Sequence, residues 1–228
     1  MTHNNIYNKF LIEYDKANVT SSYPSLTEYE AATIFDKAYN ALIAQKVTGN
    51  NVRRAPFEAD IKAISDLQGL VVIWNQKRLS NSFNIASYNL PSDFLYFVDA
   101  YLGQRLDNPM DDIEKRLVNV QIVDHQTANK FIINNSNMPW IKHPVAYIED
   151  DKINIVYDPY DKPDTDHLSI TYIKQPQKFV KENLFDDTEF ELNDTVAEEL
   201  ISLAISFALE NVESPRLNTK LNMRGLEA

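Results

Sequence analysis

The sequence TVAEELISLAISFALENV, residues 195–212, decides much of the fold. Thr195 and Glu198 stand three residues apart in the pattern of a capping box, so we expect a helix that begins at Thr195 and runs to about Val212. Apolar side chains cover far more than one stripe of this helix: Val196, Ala197, Leu200, Ile201, Leu203, Ala204, Ile205, Phe207, Ala208 and Leu209. Such a helix is either central to its own fold or covered by a neighbouring subunit.

Helical patterns also fill the N-terminal part of the chain. Apolar residues recur every four positions over residues 5–16 and predict a short helix. A capping box at Thr27 and Glu30 predicts the start of a longer helix, which we expect to end beside Gly49. A third helix is expected over residues 56–69, between a proline and a glycine.

The middle of the chain changes to the period that is typical of strands. A continuous apolar run over residues 70–74 predicts one strand, and alternation over residues 83–88, 118–122 and 168–172 predicts three more. Residues 145–157 predict a hairpin with a tight turn. One further helix is expected in this region, capped by Ser92 and carrying Phe94, Leu95, Val98 and Leu102.

This order of helices, a β-rich middle and a final helix predicts an α+β fold. We expect a helical bundle built from residues 1–70 and 191–228, and an antiparallel β-rich platform built from residues 71–190.

Composition excludes several classes of protein. The 228 residues include 22 basic and 33 acidic side chains, a net charge of -11, so a conventional nucleic-acid reader is not expected. The absence of cysteine excludes disulfides, thiolate zinc sites and cysteine nucleophiles. The four glycines do not cluster, which argues against a phosphate-binding loop. We find neither a signal peptide nor a membrane span, and expect no membrane partner.

Candidate metal and catalytic residues are few. The acidic stretch Asp158, Asp161, Asp164, Asp166 with His167 is the best metal candidate, but it lacks the glycine of a calcium loop and is more typical of a solvated connection. The other histidines are His3, His125 and His143, and none has metal-ligand spacing. We therefore expect no catalytic residue, no cofactor and no metal, and do not expect an enzyme.

Two further groups have both a structural and a functional interpretation. Lys46, Arg53 and Arg54 form a basic cluster, which is either a solvated helix exit or a docking point for an acidic partner or DNA. Tyr147, Tyr157, Tyr160 and Tyr172 either fill the packing face of a sheet or form a platform for stacking on sugars or bases.

Several segments, taken in order, carry a resemblance to structural proteins of phages. LTEYEAATIFDKAYNALIAQKVTGNN and FEADIKAISDLQGLV resemble the N-terminal helical region of structural proteins of crAss-like gut phages. NLPSDFLY, VAYIEDDKINIVYD, ITYIKQPQKFV and VAEELISLAISFALENVESPRL are similar to head-to-tail connector, or tail tubular A-like, adaptor proteins of short-tailed phages.

The resemblance implies a structural virion protein with no enzymatic activity. It would be one subunit of a ring of about twelve copies below the portal, assembled in the host cytoplasm and located in the neck or tail. Its implied partners are copies of itself, the portal protein, adjacent tail ring proteins, and genomic DNA that passes through the channel without specific binding. The implied subunit or portal interface consists of Val196, Leu200, Leu203, Phe207, Pro215, Arg216 and Leu217.

Two alternatives stay open from the residues alone. The first is a calcium- or carbohydrate-binding β module, which would use the Asp158–His167 stretch and the tyrosines. The second is a hydrolase that uses carboxylates in no recognised motif.

Overall fold

A computed structural model describes residues 1–17, 26–48, 61–81, 84–106, 114–133, 139, 143–157, 167–185 and 187–211, and every structural statement below concerns these residues. They form an α+β fold with helices toward both ends of the chain. The helices are α1 (His3–Ala17), α2 (Glu28–Thr48), α3 (Ile61–Leu67), α4 (His125–Ile133) and α5 (Asp194–Asn211), with short 3-10 helices at Gln68–Leu70 and Lys181–Asn183. None of these helices is long and apolar enough to cross a membrane.

Within the described residues, nine strands follow α3 and precede α5 in chain order. They are β1 (Val71–Lys77), β2 (Ser80–Asn81), β3 (Ile85–Asn89), β4 (Phe94–Leu106), β5 (Glu114–Asn119), β6 (Gln121–Ile122), β7 (Val145–Glu149), β8 (Lys152–Val156) and β9 (His167–Lys174). The expected strands at the start of β1, in β3, in the β7–β8 hairpin and in β9 are confirmed. The hairpin turns at Asp150, whose φ of 51° is the left-handed conformation that tight turns require.

The chain divides into two compact units, a helical unit of residues 1–70 with 176–228 and a β unit of residues 71–175. We expected the second boundary at residue 190, and it lies at residue 175. The intervening segment belongs to the helical unit because its aromatic side chains pack there. The rings of Phe179 and Phe35 lie 5.1 Å apart, and those of Phe190 and Tyr39 lie 5.2 Å apart.

In the helical unit, α5 packs against both α1 and α2. The capping box at the start of α2 is confirmed, because the backbone amide of Thr27 donates to the Glu30 carboxylate at 2.8 Å and the amide of Glu30 donates to the Thr27 hydroxyl at 3.3 Å. The backbone hydrogen bond from Thr27 also lowers the pKa of Glu30. The cap of α5 is different from the one expected. Asn193, not Thr195, accepts from the backbone amide of Val196, at 2.9 Å.

The β unit contains two sheets with the strand orders β1-β9-β4-β5 and β2-β3-β8-β7-β6. Side chains from both sheets share one core, which includes Tyr88, Leu102, Ile153, Ile155 and Tyr172. Helix α4 contacts β7 and β8, so β8 is buried on both faces. Among the strands that the structure describes, all pairs are antiparallel except β6 with β7, which is parallel.

The helix that we expected after Ser92 is wrong, since Phe94–Leu106 is the long strand β4. Its pairing with β9 contains irregularities between Phe94 and Tyr96 and between Phe97 and Asp99, and each inserts one extra residue into β4. These insertions interrupt the alternation of side chains, so the apolar spacing imitates that of a helix. The aromatic and β-branched composition of the segment favours a strand.

The single strand expected over residues 118–122 is also wrong. The chain forms β5 in one sheet, leaves it at the buried Val120, and continues as β6 in the other sheet. The alternation arises because both short strands direct apolar side chains into the shared core. Directly afterwards Asp124 caps α4, with its carboxylate accepting from the amide of Thr127 at 3.1 Å, so His125 lies on a helix and not on a strand.

Candidate functional site

The apolar helix α5 is central to the fold of its own unit. Val196 and Leu200 have no exposed surface and Leu203 has 1%. A surface that another subunit covers cannot consist of side chains that the chain itself has buried. The interface assigned to these three residues is therefore wrong, and they are core residues of the helical unit.

Phe207 is the one remaining α5 residue of the implied interface, and it is partly exposed. The Lys37 ammonium lies 4.6 Å from the centre of its ring, which is a cation–π contact between α2 and α5. Part of the Phe207 side chain therefore stays accessible to solvent. Pro215, Arg216 and Leu217 lie outside the described residues.

Lys46 belongs to a buried ionic network and not to a basic surface patch. Its ammonium lies 2.7 Å from Asp66 Oδ2 on α3 and 2.6 Å from Glu199 Oε2 on α5. The other oxygen of Asp66 accepts from the side-chain amide of Asn193 at 3.3 Å. Lys46 and Asp66 are both buried. The docking hypothesis therefore loses Lys46, while Arg53 and Arg54 lie outside the described residues.

The charge state of Lys46 follows from these contacts. Burial is the largest single influence and lowers the pKa of the ammonium, but the hydrogen bonds and charges of Asp66 and Glu199 together outweigh it and raise the pKa. Lys46 is therefore charged at neutral pH. It joins α2 to α3 and to α5 through one cation, which is a structural role.

The three tyrosines of this group that the structure describes do not form a stacking platform. Tyr157 and Tyr172 are buried in the core of the β unit, and the Tyr172 hydroxyl donates to Asp93 Oδ1 at 2.8 Å. Tyr147 lies on the other face of its sheet, with its ring 5.3 Å from that of His125 on α4. Tyr160 lies outside the described residues. Tyr147, Tyr157 and Tyr172 thus pack against the sheets of the β unit, and they give no support to a carbohydrate site.

A row of polar side chains lies on the same face of this sheet as Tyr147. The Ser87 hydroxyl donates to Asn154 Oδ1 at 2.7 Å, and the Asn154 amide donates to Glu149 at 3.4 Å. A serine nucleophile needs a base that can take up its proton, and an amide oxygen cannot do so. The row therefore satisfies the buried side-chain amide of Asn154.

The histidines are dispersed. His3 is buried against the ring of Phe179, His125 begins α4, and His143 and His167 are exposed. Across the described residues, no group of three or more histidine, aspartate or glutamate side chains could hold a metal ion. Asp158, Asp161, Asp164 and Asp166 lie outside them.

The outer strands of the four-stranded sheet carry a surface that the sequence did not reveal. Strand β1 lies at one edge and exposes Ile73 by 67% and Trp74 by 39%, and strand β5 lies at the other edge and exposes Leu117 by 75%. A continuous apolar run such as residues 70–74 is usually typical of a buried central strand. Only the pairing order of the strands identifies β1 as an edge.

Comparison of this chain with protein-family models and with curated proteins finds no match.

Proposed function

We propose that this chain is a structural subunit of a head-to-tail connector ring in a tailed-phage virion, located below the portal and joining the capsid to the tail. The architecture is the observation that supports this proposal most. A β unit of residues 71–175 is inserted between the two parts of a helical unit. The resemblance of the sequence segments to connector proteins implies the same combination of a helical bundle with a β-rich platform.

The charge of the chain is consistent with a DNA channel. Acidic residues exceed basic ones by 33 to 22, and a surface with an excess of negative charge repels the phosphate backbone. A channel through which a genome must pass needs a wall to which the genome does not adhere. Genomic DNA is therefore proposed as a molecule that passes the ring, and not as a bound ligand.

The proposed partners are further copies of the chain, the portal protein and the adjacent tail rings. Because Val196, Leu200 and Leu203 belong to the core, these contacts must use other residues. The partly exposed Phe207 stays in the proposal. Pro215, Arg216 and Leu217 stay in it as portal contacts on the strength of the resemblance alone. The proposed location is the neck or tail of the particle, after assembly in the cytoplasm of the host bacterium.

The direct test is mass spectrometry of purified particles together with electron microscopy of their necks. We expect the chain in the particles at a fixed number of copies, and density for a ring at the portal vertex into which the two units fit. Absence of the chain from particles that are intact and infectious would overturn the proposal. A major capsid protein detected in the same sample serves as the control for recovery.

A second measurement separates this proposal from a calcium- or carbohydrate-binding module. Titration of the purified chain with calcium and with a panel of glycans should give no heat and no change in melting temperature, because a ring subunit has no need of either. Saturable binding of calcium or of one glycan class would favour the module. A calcium-binding protein measured in the same buffer controls for the activity of the cation.

A further inference from the structure

The two edges of the four-stranded sheet are similar in length and differ in composition. Strand β1 is mostly apolar, whereas β5 begins with Glu114-Lys115-Arg116 and has Leu117 and Val118 as its apolar residues. Strand β1 has seven residues and pairs only with β9, and strand β5 has six residues and pairs only with β4, within the part of the chain that the structure describes. Each edge therefore presents backbone amides and carbonyls that can accept another strand.

Strand β1 lacks the features that keep a sheet edge from pairing. Proteins commonly protect such edges with charged side chains, proline or very short strands. Residues 71–74 of β1 are Val-Val-Ile-Trp, with no charge and no proline, and the first charge is Lys77 at the end of the strand. An edge of this composition is suited to a partner strand.

The directions of the strands indicate which partner fits. All three pairings in this sheet are antiparallel, so β1 and β5, at its two edges, run in opposite directions. When a second copy follows the first in the same orientation, its β5 arrives antiparallel to β1 of the first. The alternation of the sheet then continues across the contact without a parallel pair.

The side chains match in one register of this contact. If Ile73 of one copy lies opposite Leu117 of the next, Val72 lies opposite Val118. Val72 pairs with the core residue Tyr172, and Val118 pairs with the core residue Leu102. Because paired residues of neighbouring strands share a face, both valines belong to the inner face of the sheet. Ile73 and Leu117 then share the outer face, where both are more than half exposed. The register therefore gives one apolar pair on each face of the sheet. In the same register the charged residues at positions 114–116 of β5 stand opposite Gln76, Asn75 and Trp74 of β1.

We propose that copies of this chain associate head to tail, with β1 of one copy pairing with β5 of the next to form a continuous antiparallel sheet. This inference rests on the proposed function for its biological meaning, because a head-to-tail contact is the kind that closes a ring. The contact itself is a property of the isolated chain. It can therefore be tested without a particle or a portal.

Engineered cysteines test the contact, since the chain has none of its own. We would prepare Ile73→Cys with Leu117→Cys in one variant, and Val72→Cys with Val118→Cys in another. Neighbouring pairs in an antiparallel ladder alternate between wide and narrow spacing, so one of the two variants presents the narrow spacing of about 4.5 Å between Cα atoms. The two edges of one sheet are about 14 Å apart, beyond the reach of about 7 Å for a disulfide, so any bond joins two copies.

We expect mild oxidation to give a ladder of dimers, trimers and larger species in at least one double variant. Mixing the single variants Ile73→Cys and Leu117→Cys should give dimers that contain one chain of each. Either single variant alone should stay monomeric on a non-reducing gel. Dimers formed by Ile73→Cys alone would indicate a two-fold contact between β1 strands and would overturn the proposal, as would the absence of bonds in both double variants.

A surface substitution provides an independent measurement. Ile73→Lys introduces a charge at the edge and should abolish self-association in sedimentation velocity, with the circular dichroism spectrum unchanged. The matched control is Ile133→Lys on α4 of the same unit, where the native side chain is 81% exposed, and it should associate like the parent chain. Equal association of both variants would contradict the proposal. If the purified chains cross-link but the protein is absent from virions, the proposed function is refuted and the contact is not. If the protein is present in virions but its chains do not cross-link, the contact is refuted and the proposed function is not.

Discussion

The ammonium of Lys46 lies 2.7 Å from the carboxylate of Asp66, and both side chains are buried. The same ammonium contacts Glu199, so one cation compensates two acids from α3 and α5. Removing the cation would leave the acids without compensation, which is far more costly than losing an exposed ion pair. The stability of the helical unit therefore depends on Lys46, although its sequence position near Arg53 and Arg54 suggests an exposed basic cluster.

Lys46→Met should lower the free energy of unfolding by about 3–5 kcal/mol, because it leaves a buried carboxylate unpaired. Urea unfolding at pH 7 measures the loss. The control is Lys62→Met, which removes a partly exposed cation 3.4 Å from Glu199 and should cost less than about 1 kcal/mol. Equal effects of the two variants would show that the network is not the origin of the stability.

Alkaline pH should destabilise the β unit through Tyr172. Burial, with the hydrogen bond to Asp93 and the charge of Asp93, raises the pKa of Tyr172 from 10.0 to about 12. A raised pKa in the folded state means that the contribution to stability is complete below pH 10 and is lost as the pH rises toward 12. Urea unfolding at intervals over this range should show the decline.

Tyr172→Phe tests whether the loss of stability at alkaline pH comes from the Tyr172 hydroxyl. It should be less stable than the parent at pH 7 by about 1 kcal/mol, since the hydrogen bond is lost, but its stability should fall less steeply above pH 10. Burial also raises the pKa of Tyr147 in the same unit, which acts in the same direction, so the decline is reduced and not abolished. Identical slopes for the parent and the variant would contradict the assignment.

The cap of α5 gives a matched pair of substitutions. Asn193→Ala removes the side-chain oxygen that accepts from the amide of Val196 and also the side-chain amide that donates to Asp66, and should cost about 1–2 kcal/mol in thermal or urea unfolding. Thr195→Ala alters the residue that the sequence pattern designates as the cap and should change the stability by less than about 0.5 kcal/mol. A larger loss of stability in Thr195→Ala than in Asn193→Ala would show that Thr195 is the cap.

Gly69 lies where the chain passes close to its own backbone. A Cβ at this position would stand 2.1 Å from the carbonyl oxygen of Glu191, so Gly69→Ala should force a backbone shift and cost about 1–3 kcal/mol. At Gly103 the nearest atom would be 3.7 Å away, and Gly103→Ala should be tolerated. Melting temperatures of the two variants, measured side by side, provide the test.

Leu203 and Phe207 should respond differently to a charge, although both lie on α5. Leu203→Asp places an unpaired carboxylate in the core and should prevent folding. Phe207→Asp alters a partly exposed residue, and its carboxylate can approach Lys37, so the chain should stay folded. Soluble yield and circular dichroism distinguish the two, and a misfolded Phe207→Asp would place Phe207 among the core residues.

The sequence could predict those features that local patterns control. The box of Thr27 and Glu30 is reproduced atom by atom, and the hairpin turn at Asp150 follows from two adjacent turn-forming residues. The apolar surface of α5 correctly indicated a choice between core and interface, but only tertiary packing could decide it. The burial of Leu203 decides it in favour of the core.

The features that the sequence could not predict depend on distant partners. The bulges in β4 arise from its register with β9, a strand far along the chain, and they give the segment the spacing of a helix. The position of β1 at the edge of its sheet depends on which strands flank it, and no property of residues 71–77 specifies that. Likewise Lys46 is buried because Asp66 and Glu199 approach it from two other helices.

The β unit begins and ends on paired strands, since Val71 on β1 is the register partner of Ile173 on β9. The two points at which the polypeptide crosses into and out of this unit are thus neighbours, about 5 Å apart. Any module whose first and last strands are hydrogen-bonded to each other likewise has its two chain junctions side by side. Recombination between genomes could therefore exchange the whole platform through two adjacent junctions while the connectivity of the helices stays as it is.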